Sequence, residues 1–467
     1  MYLSQQDLFT GLISLSIITI VLLCIEAGVK NKFLNKLIGR KLLHFAAITT
    51  CAFTIGRFEN RIALACIFLI FFFILLWVIR KGWMQVNEYK TYGIALFPLA
   101  FAVLLFIPQF QKPIIILAVL ILAVSDALAG IAGEYYGKQK IVFLFETKSW
   151  IGFAAFYLSA FIVSIIFINT YTADSILFCS IFALLPALTE LFSYRGSDNF
   201  TIPLFTAIWA LLLTNTDTNS LLHFGLLILL FTAAAFFAVQ KKWLTISGAA
   251  AAVWMAILLY TTWRYKAFVA PGIFLISGSL LSKLNKHPRE KKGRNAKQVF
   301  ANGITGIVFM ILYKITKTEN YLIASMISFC ISMADTVSSE LGIYFKGATF
   351  DILSFKKMKP GLSGGISLQG TLAGLIGAAL LSWVAGKIHP FSDTALIWIG
   401  FAGFTGMIID SILGSWIQVK YKTQEGMLLE DQATGSQKIK GLAWCGNDTV
   451  NILSNVLITL LFFYLLS

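Results

Sequence analysis

Four acidic residues stand inside apolar sequence: Asp126, Glu190, Asp335 and Asp410. An intramembrane carboxylate costs about 2.5–3.5 kcal/mol on insertion scales, so each needs either a partner or a use. The polar residues around them recur in the same order in the two halves of the chain. First comes an Asp with a Gly seven residues later and an aromatic pair: Ser125-Asp126 to Gly133 and Tyr135-Tyr136, then Asp335 to Gly342 and Tyr344-Phe345. Asp126, Gly130, Gly133 and Gly137 lie within about 40° on one face of a helix turning ~100° per residue, as do Asp335, Ser339 and Gly342. Such a stripe lets a backbone or a ligand come close to the carboxylate.

A lysine-bearing loop with small hydroxyl residues follows each Asp. The first is Glu146-Thr147-Lys148-Ser149 with Gly152, and the second runs from Lys356 through Lys359-Pro360-Gly361-Leu362-Ser363-Gly364-Gly365 to Ser367. Backbone N–H groups of a Gly/Ser turn entering a helix form an anion nest, and lysine adds charge. Each half then closes with an acid in a span and a Gly-x-Asp: Glu190 with Gly196-Ser197-Asp198-Asn199, and Asp410 with Gly446-Asn447-Asp448 and Asn451. A basic segment precedes each first Asp, as Gly39-Arg40-Lys41 with His44 and as Gly293-Arg294 with Lys297, Gln298 and Asn302. Carboxylates facing lysines and an anion nest can hold Mg²⁺ and a nucleotide polyphosphate, which predicts phosphoryl or nucleotidyl transfer. No GxxxxGK[ST] sequence occurs, nor a protein-kinase motif set, so the site is of neither soluble type.

The elements that must position these residues are transmembrane helices. Of 467 residues, 58% are hydrophobic and 13% charged, and the mean hydropathy is +0.80. The apolar blocks run to about 20 residues, the length a helix needs to cross ~30 Å of hydrocarbon. A β-barrel would instead alternate over ~10-residue strands. Sixteen spans are expected, centred near residues 18, 49, 70, 99, 123, 159, 183, 208, 231, 252, 275, 306, 332, 376, 405 and 455. The first block, Leu8 to Val29, lacks a basic leader and a cleavage site and reads as a retained span.

With the N-terminus outside, 29 of the 37 Lys and Arg fall on one side. The positive-inside rule then puts segments 30–41, 80–90, 134–149, 193–199, 283–297, 344–364 and 417–441 in the cytoplasm. The net charge of +15 is thereby mainly topology and does not call for a nucleic acid partner. Six scattered cysteines without a CxxC pair and four dispersed histidines build neither a disulfide framework nor a zinc site. Dividing the chain in the polar segment Thr214 to Ser220 gives two parallel eight-helix halves, 1–218 and 219–467, in an all-α integral membrane protein. The second substrate should be a lipid, since a prenyl chain gains about 0.8 kcal/mol per buried CH₂.

At Arg40-Lys41-Leu42-Leu43-His44-Phe45, Ser125-Asp126-Ala127 through Gly137-Lys138, Lys148-Ser149 with Gly152, and Glu190 with Asp198-Asn199 to Pro203, the first half resembles the phytol kinase and dolichol kinase family, relatives of phosphatidate cytidylyltransferases. The second half resembles the phytyl-phosphate kinase family. There the matching blocks are Leu244 to Ala249, Gln298 to Gly303, Asp335-Thr336 through Ser339-Glu340-Leu341-Gly342, Lys359-Pro360-Gly361 to Ser367, and Gly446-Asn447-Asp448 to Asn451. The resemblance implies a fusion of two consecutive CTP-dependent kinases. One would phosphorylate a prenyl alcohol such as phytol, geranylgeraniol or farnesol, and the other the resulting monophosphate. CTP as donor comes from the resemblance alone.

The expected catalytic set is Asp126, Lys148, Asp198, Asn199, Asp335, Glu340, Lys359 and Asp448. Nucleotide and phosphate contacts are expected from Arg40, Lys41, Lys138, Ser149, Gly361, Ser363, Gly364, Gly365, Ser367, Asn447 and Asn451, and Mg²⁺ ligation from Asp126, Glu190, Asp335 and Asp410. Asp198 and Asp448 are candidates for metal or for the substrate's proton, in roles exchangeable with Glu190 and Asp410. The competing readings are a multi-pass transporter, which a parallel repeat with buried acids also suits, and a lipid-phosphate cytidylyltransferase in the first half. The membrane is expected to be a bacterial inner membrane, with both sites facing the cytoplasm.

Overall fold

The computed structural model describes residues 3–81, 93–143, 146–169, 171–193, 196–213, 218–284, 293–423, 428–430, 432 and 436–466. Parts of the expected cytoplasmic segments, namely 82–90, 144–145, 194–195, 285–292, 424–427, 431 and 433–435, and residues 214–217 of the expected division, lie outside them. The chain separates into two compact units, Met1–Leu227 and Ile228–Ser467.

The first unit holds helices α1 (Gln5–Lys30), α2 (Lys36–Arg57), α3 (Arg61–Arg80), α4 (Gly93–Phe106), α5 (Lys112–Ile121) and α6 (Ala127–Tyr136). A π-helical turn, Leu122–Asp126, joins α5 to α6, so Lys112–Tyr136 runs as one span. A hairpin of β1 (Lys140–Phe143) and β2 (Glu146–Ser149) leads into α7 (Trp150–Ile168), α8 (Ala173–Phe192) and α9 (Asp198–Leu213). The unit boundary falls within α10 (Thr218–Gln240), whose first residues are the expected division at 218/219.

The second unit continues with α11 (Ile246–Trp263), a 3₁₀ turn, α12 (Val269–Leu284), α13 (Ala296–Thr316) and α14 (Glu319–Tyr344). Strands β3 (Phe350–Asp351) and β4 (Gly365–Ile366) pair before α15 (Leu368–Ile388) and α16 (Asp393–Trp416). A three-stranded sheet of β5 (Lys420–Lys422), β6 (Leu428–Leu429) and β7 (Gln437–Lys440), ordered β6-β5-β7, precedes α17 (Asn447–Leu466).

All sixteen expected centres fall on helices. Among the described residues twelve segments are long and apolar enough to cross a membrane, while α4 and α9 are shorter apolar helices. α2 is not among the twelve, and α11 and α12 count as one 39-residue stretch. The short strands sit in polar loops where no periodicity of the sequence predicts secondary structure.

In each unit the helix that carries the first Asp is the most enclosed of these segments. The apolar window of Lys112–Tyr136 is 61% buried and that of α14 is 83% buried, against 11% for α1. Helices α12, α13, α15, α16 and α17 all pack on α14, while α2, α7 and α9 pack on α5. Phe156, Phe182 and Trp209 fill the first core and Phe329 the second.

Candidate active sites

In the first unit α2 brings Lys41 and His44, one turn apart on one helix face, to the buried Asp126. Lys41 Nζ lies 2.9 Å from Asp126 Oδ2 and 3.4 Å from the Asp126 carbonyl oxygen. Gly130, one turn beyond Asp126, makes the slot for this lysine. A Cβ there would stand 2.5 Å from Lys41 Cε and 2.7 Å from Nζ, closer than carbon can approach. His44 points Nδ1 at Asp126 Oδ2 from 3.8 Å and joins Asn199 Oδ1 through Nε2 at 2.8 Å. Asn199 in turn donates from Nδ2 to the carbonyl of Gly93, 3.0 Å away. That bond needs the start of α4 close to the entrance of α9. Gly93 and Gly196, the latter with φ +86°, allow it, because a Cβ on Gly93 would be 2.8 Å from Gly196 Cα.

Lys148, at the end of the hairpin, reaches Glu190 on α8 with Nζ 2.5 Å from Oε1. Asp198 Oδ1 caps its own helix by accepting from Asn199 N at 2.9 Å, and its charge acts on both Asp126 and Glu190. Asp126, Lys148, Glu190, Asp198, Asn199 and Lys41, dispersed over 159 positions of sequence, therefore form one cluster. Arg40 and Lys138 are exposed. The two lysines occupy the acids and do not reach outward as free phosphate ligands.

In the second unit Asp335 on α14 and Asp410 on α16 are near enough for their charges to repel, and the charge of Arg294 acts on Asp335. Gly278 on α12 makes room for the Arg294 guanidinium, which a Cβ would strike. Asp410 Oδ2 accepts from Ser454 Oγ at 2.9 Å. With the Asn451 amide nitrogen turned toward its acceptors, it lies 3.2 Å from Asp410 Oδ2 and 3.0 Å from the Asn447 carbonyl. The Asn451 and Asn302 side chains meet at 3.5 Å. Glu340 is drawn elsewhere: it is buried and accepts from Ser282 Oγ at 2.8 Å. Asp448 is half-buried at the start of α17, and Lys359 is exposed.

The glycine turn is held on three sides through Ser363. Its N–H donates to Glu430 Oε1 at 2.5 Å, its carbonyl accepts from Lys420 Nζ at 2.9 Å, and its hydroxyl meets Asn447 Oδ1 at 3.1 Å. Gly361 and Gly364 have φ near +85°. Gly364 also lies on Ser415 of α16, whose Cα and Cβ a side chain would meet at 2.6 Å. Gly365 pairs across the strand with Asp351. Burial lowers the pKa of Lys420, with Asp351 and Glu430 acting in the opposite sense and Lys440 in the same one. Neither Glu430 nor Lys420 carried a spacing signal. Only the fold brings them back to residue 363.

The serines expected to touch phosphate have a shared structural task. Ser149 caps α7 by accepting from Gly152 N at 3.0 Å, and Ser367 caps α15 by accepting from Gly370 N at 3.1 Å. A Cβ on Gly133 would meet Ser149 Oγ at 3.0 Å and Gly152 Cα at 3.6 Å. One on Gly342 would meet Ser367 Oγ at 3.3 Å and Gly370 Cα at 3.4 Å. Both glycine stripes are thus the close crossing of the Asp-bearing helix with the helix that follows.

Among the described residues no three of His, Cys, Asp and Glu gather as a metal-ligand set. Asp126 and Glu190, expected as Mg²⁺ ligands, each have one carboxylate oxygen engaged by a lysine and the other left for a ligand. Asp335 and Asp410, near enough for their charges to interact, are the pair that could share a cation in the second unit.

The family of integral membrane proteins known as DUF92 matches residues 229–459. An uncharacterized membrane protein of Methanocaldococcus jannaschii is 33% identical over 170 residues, which cover 35% of this chain and 70% of that protein. The chain belongs to the DUF92 family. Protein VTE6, chloroplastic, of Arabidopsis thaliana is 26% identical over 227 residues, 45% of this chain, and the match spans 62% of its length. A phytol kinase of Synechocystis is 30% identical over 99 residues, 20% of this chain and 42% of that enzyme. No solved structure matches. The DUF92 match contains Asp335, the glycine turn, Asp410 and Asn451.

Proposed function

We propose that this protein is a bifunctional isoprenoid kinase of the membrane, with CTP as phosphoryl donor. The first unit converts a prenyl alcohol to its monophosphate, and the second converts the monophosphate to the diphosphate. The observation that carries the reading is the pair of polar clusters, Lys41–Asp126–His44–Asn199 with Lys148–Glu190, and Arg294–Asp335–Asp410–Asn451, each on the most enclosed span of its unit. Similarity to a phytol kinase adds the substrate class. Both clusters lie beside loops rich in lysine, on the side expected to face the cytoplasm, where a nucleoside triphosphate is available.

In the first unit Lys41 and Lys148 hold two buried carboxylates in place, and Asp198 adds a third acid to the cluster. These acids would supply carboxylate oxygens to the Mg²⁺ that accompanies a nucleoside triphosphate. In the second unit Asp335 and Asp410 would hold a divalent cation, which neutralises charge on the transferring phosphoryl group. Arg294 orients Asp335, while Ser454 and Asn451 orient Asp410.

The test is to incubate purified protein with Mg²⁺, CTP or ATP, and geranylgeraniol or phytol, and to identify lipid products by mass. Diphosphate from wild type, and monophosphate alone from Asp335→Ala, is the expected result. No phosphorylated lipid with any pair overturns the reading. A CDP-lipid would move the first unit to cytidylyl transfer.

A further inference from the structure

We propose that His44 is the general base of the first step, taking the proton of the prenyl alcohol's hydroxyl at Nδ1. The inference rests on the reading of the first unit as an alcohol kinase. Its basis is the tautomer that the surroundings impose. Of the two ends of the Asn199 amide only Nδ2 can donate to the Gly93 carbonyl, so Oδ1 is turned toward His44. An amide oxygen only accepts, so His44 Nε2 carries the hydrogen. A neutral imidazole has one N–H, which leaves Nδ1 with a bare lone pair. This nitrogen is buried and has no hydrogen-bond partner, an expensive state for a polar atom unless a ligand completes it.

The neighbours suit that use. Asp126 Oδ2, at 3.8 Å, is placed to stabilise the imidazolium once the proton has moved, and Lys41 holds that carboxylate from its other side. Lys148, Glu190 and Asp198 complete the charged surroundings. His44 retains 19% of its side-chain surface, which keeps the ring within reach of a substrate.

The step balances as follows. The alcohol oxygen forms a bond to the γ-phosphorus of the nucleoside triphosphate while its proton passes to Nδ1. The bond from that phosphorus to the β-bridging oxygen breaks, and its electron pair leaves with the nucleoside diphosphate. The imidazolium then returns its proton to water.

The second unit supplies a contrast. Asn302 stands beside Asn451 much as His44 stands beside Asn199, and an amide has no useful affinity for a proton. A phosphomonoester, whose second pKa is near 6, already presents an anionic oxygen and needs no base. A base in one unit and an amide in the other fits an order in which alcohol is the first acceptor and phosphate the second.

The experiment uses the full-length protein with His44→Ala and His44→Gln, the latter retaining a donor for Asn199. Both are assayed with geranylgeraniol, with an analogue fluorinated next to the carbinol, and with geranylgeranyl monophosphate. Loss of a general base costs about 10²–10⁴-fold in kcat. The expected result is a loss of that size with geranylgeraniol, a much smaller one with the more acidic fluorinated alcohol, and unchanged conversion of the monophosphate. An equal loss with both alcohols means that the residue only supports structure and overturns the proposal, as does full activity of either variant. Failure of the wild type to phosphorylate any alcohol would instead overturn the kinase reading of the unit, and the two failures are distinct.

Discussion

At the scale of single residues, the two clusters handle their buried charge differently. Asp126 and Glu190 are ion-paired at 2.9 and 2.5 Å, and removing one partner of such a buried pair costs about 3–5 kcal/mol. Lys41→Met should therefore lower the melting temperature and abolish monophosphate formation together, as read by thermal denaturation in detergent and product mass. Asp335 is a mixed case, because it repels Asp410 while Arg294 attracts it. Asp335→Asn removes both interactions with little change of shape, so their effects on stability offset. The expected outcome is a little-changed melting temperature with the second phosphorylation lost. A fall in both would mean that Asp335 serves stability. The acids and lysines were legible in the sequence because charge inside apolar sequence is conspicuous. Their pairing was not, since Lys41 reaches Asp126 across 85 positions and nothing in local spacing encodes that approach.

At the scale of elements, the small-residue stripes acquire a specific meaning. They read as room for a ligand, yet Gly130 is filled by Lys41, and Gly133 and Gly342 by the capping serines of the next helix. Gly130→Val should displace Lys41 and remove the first step while leaving monophosphate conversion intact, which parallel assays on the two acceptors would check. Ser149→Ala and Ser367→Ala should each cost about 1 kcal/mol, the ordinary loss for an N-cap.

The β3–β4 connection has its own titrating anchor. Burial pushes Asp351 up, but hydrogen bonds from the Ser354 backbone and hydroxyl, the Ser415 hydroxyl and the Leu353 backbone outweigh it and hold the pKa at about 2. Because this pKa is depressed, the stabilisation is complete above the unfolded value near 3.9 and fades as pH falls toward about 2. Amide protection at Leu353 and Ser354, taken relative to the intrinsic exchange rate, should be high at pH 5 and fall below pH 4, and Asp351→Asn should remove it at both. Periodicity located the helices because a span is a long uniform signal. The strands escaped it, being two to four residues each and set by pairing partners distant in sequence.

At the scale of the whole molecule, the chain carries two units with the same polar order but different chemistry at corresponding places. If each unit completes one transfer and releases the monophosphate to the bilayer, inactive variants should complement one another. Vesicles containing both Asp126→Asn and Asp335→Asn proteins should form diphosphate from alcohol, whereas either alone should not. Absence of diphosphate from the mixture, with each variant active on its own remaining step, would mean that the intermediate never leaves the protein.

One feature separates the two Asp-bearing spans. The π turn at Leu122–Asp126 closes its hydrogen bonds one residue later than an α-helix does, whereas Glu319–Tyr344 is α-helical throughout. Any alignment of the halves anchored on their aspartates therefore stays in phase toward Gly133 and Gly342 but slips by one position toward the N-terminal side. A comparison that forbids gaps inside helices will register the repeat on one side of the carboxylate and lose it on the other. Deleting one residue from the turn would close it into a regular α-helix and leave Asp126 on nearly the same face, because the turn absorbs one extra residue.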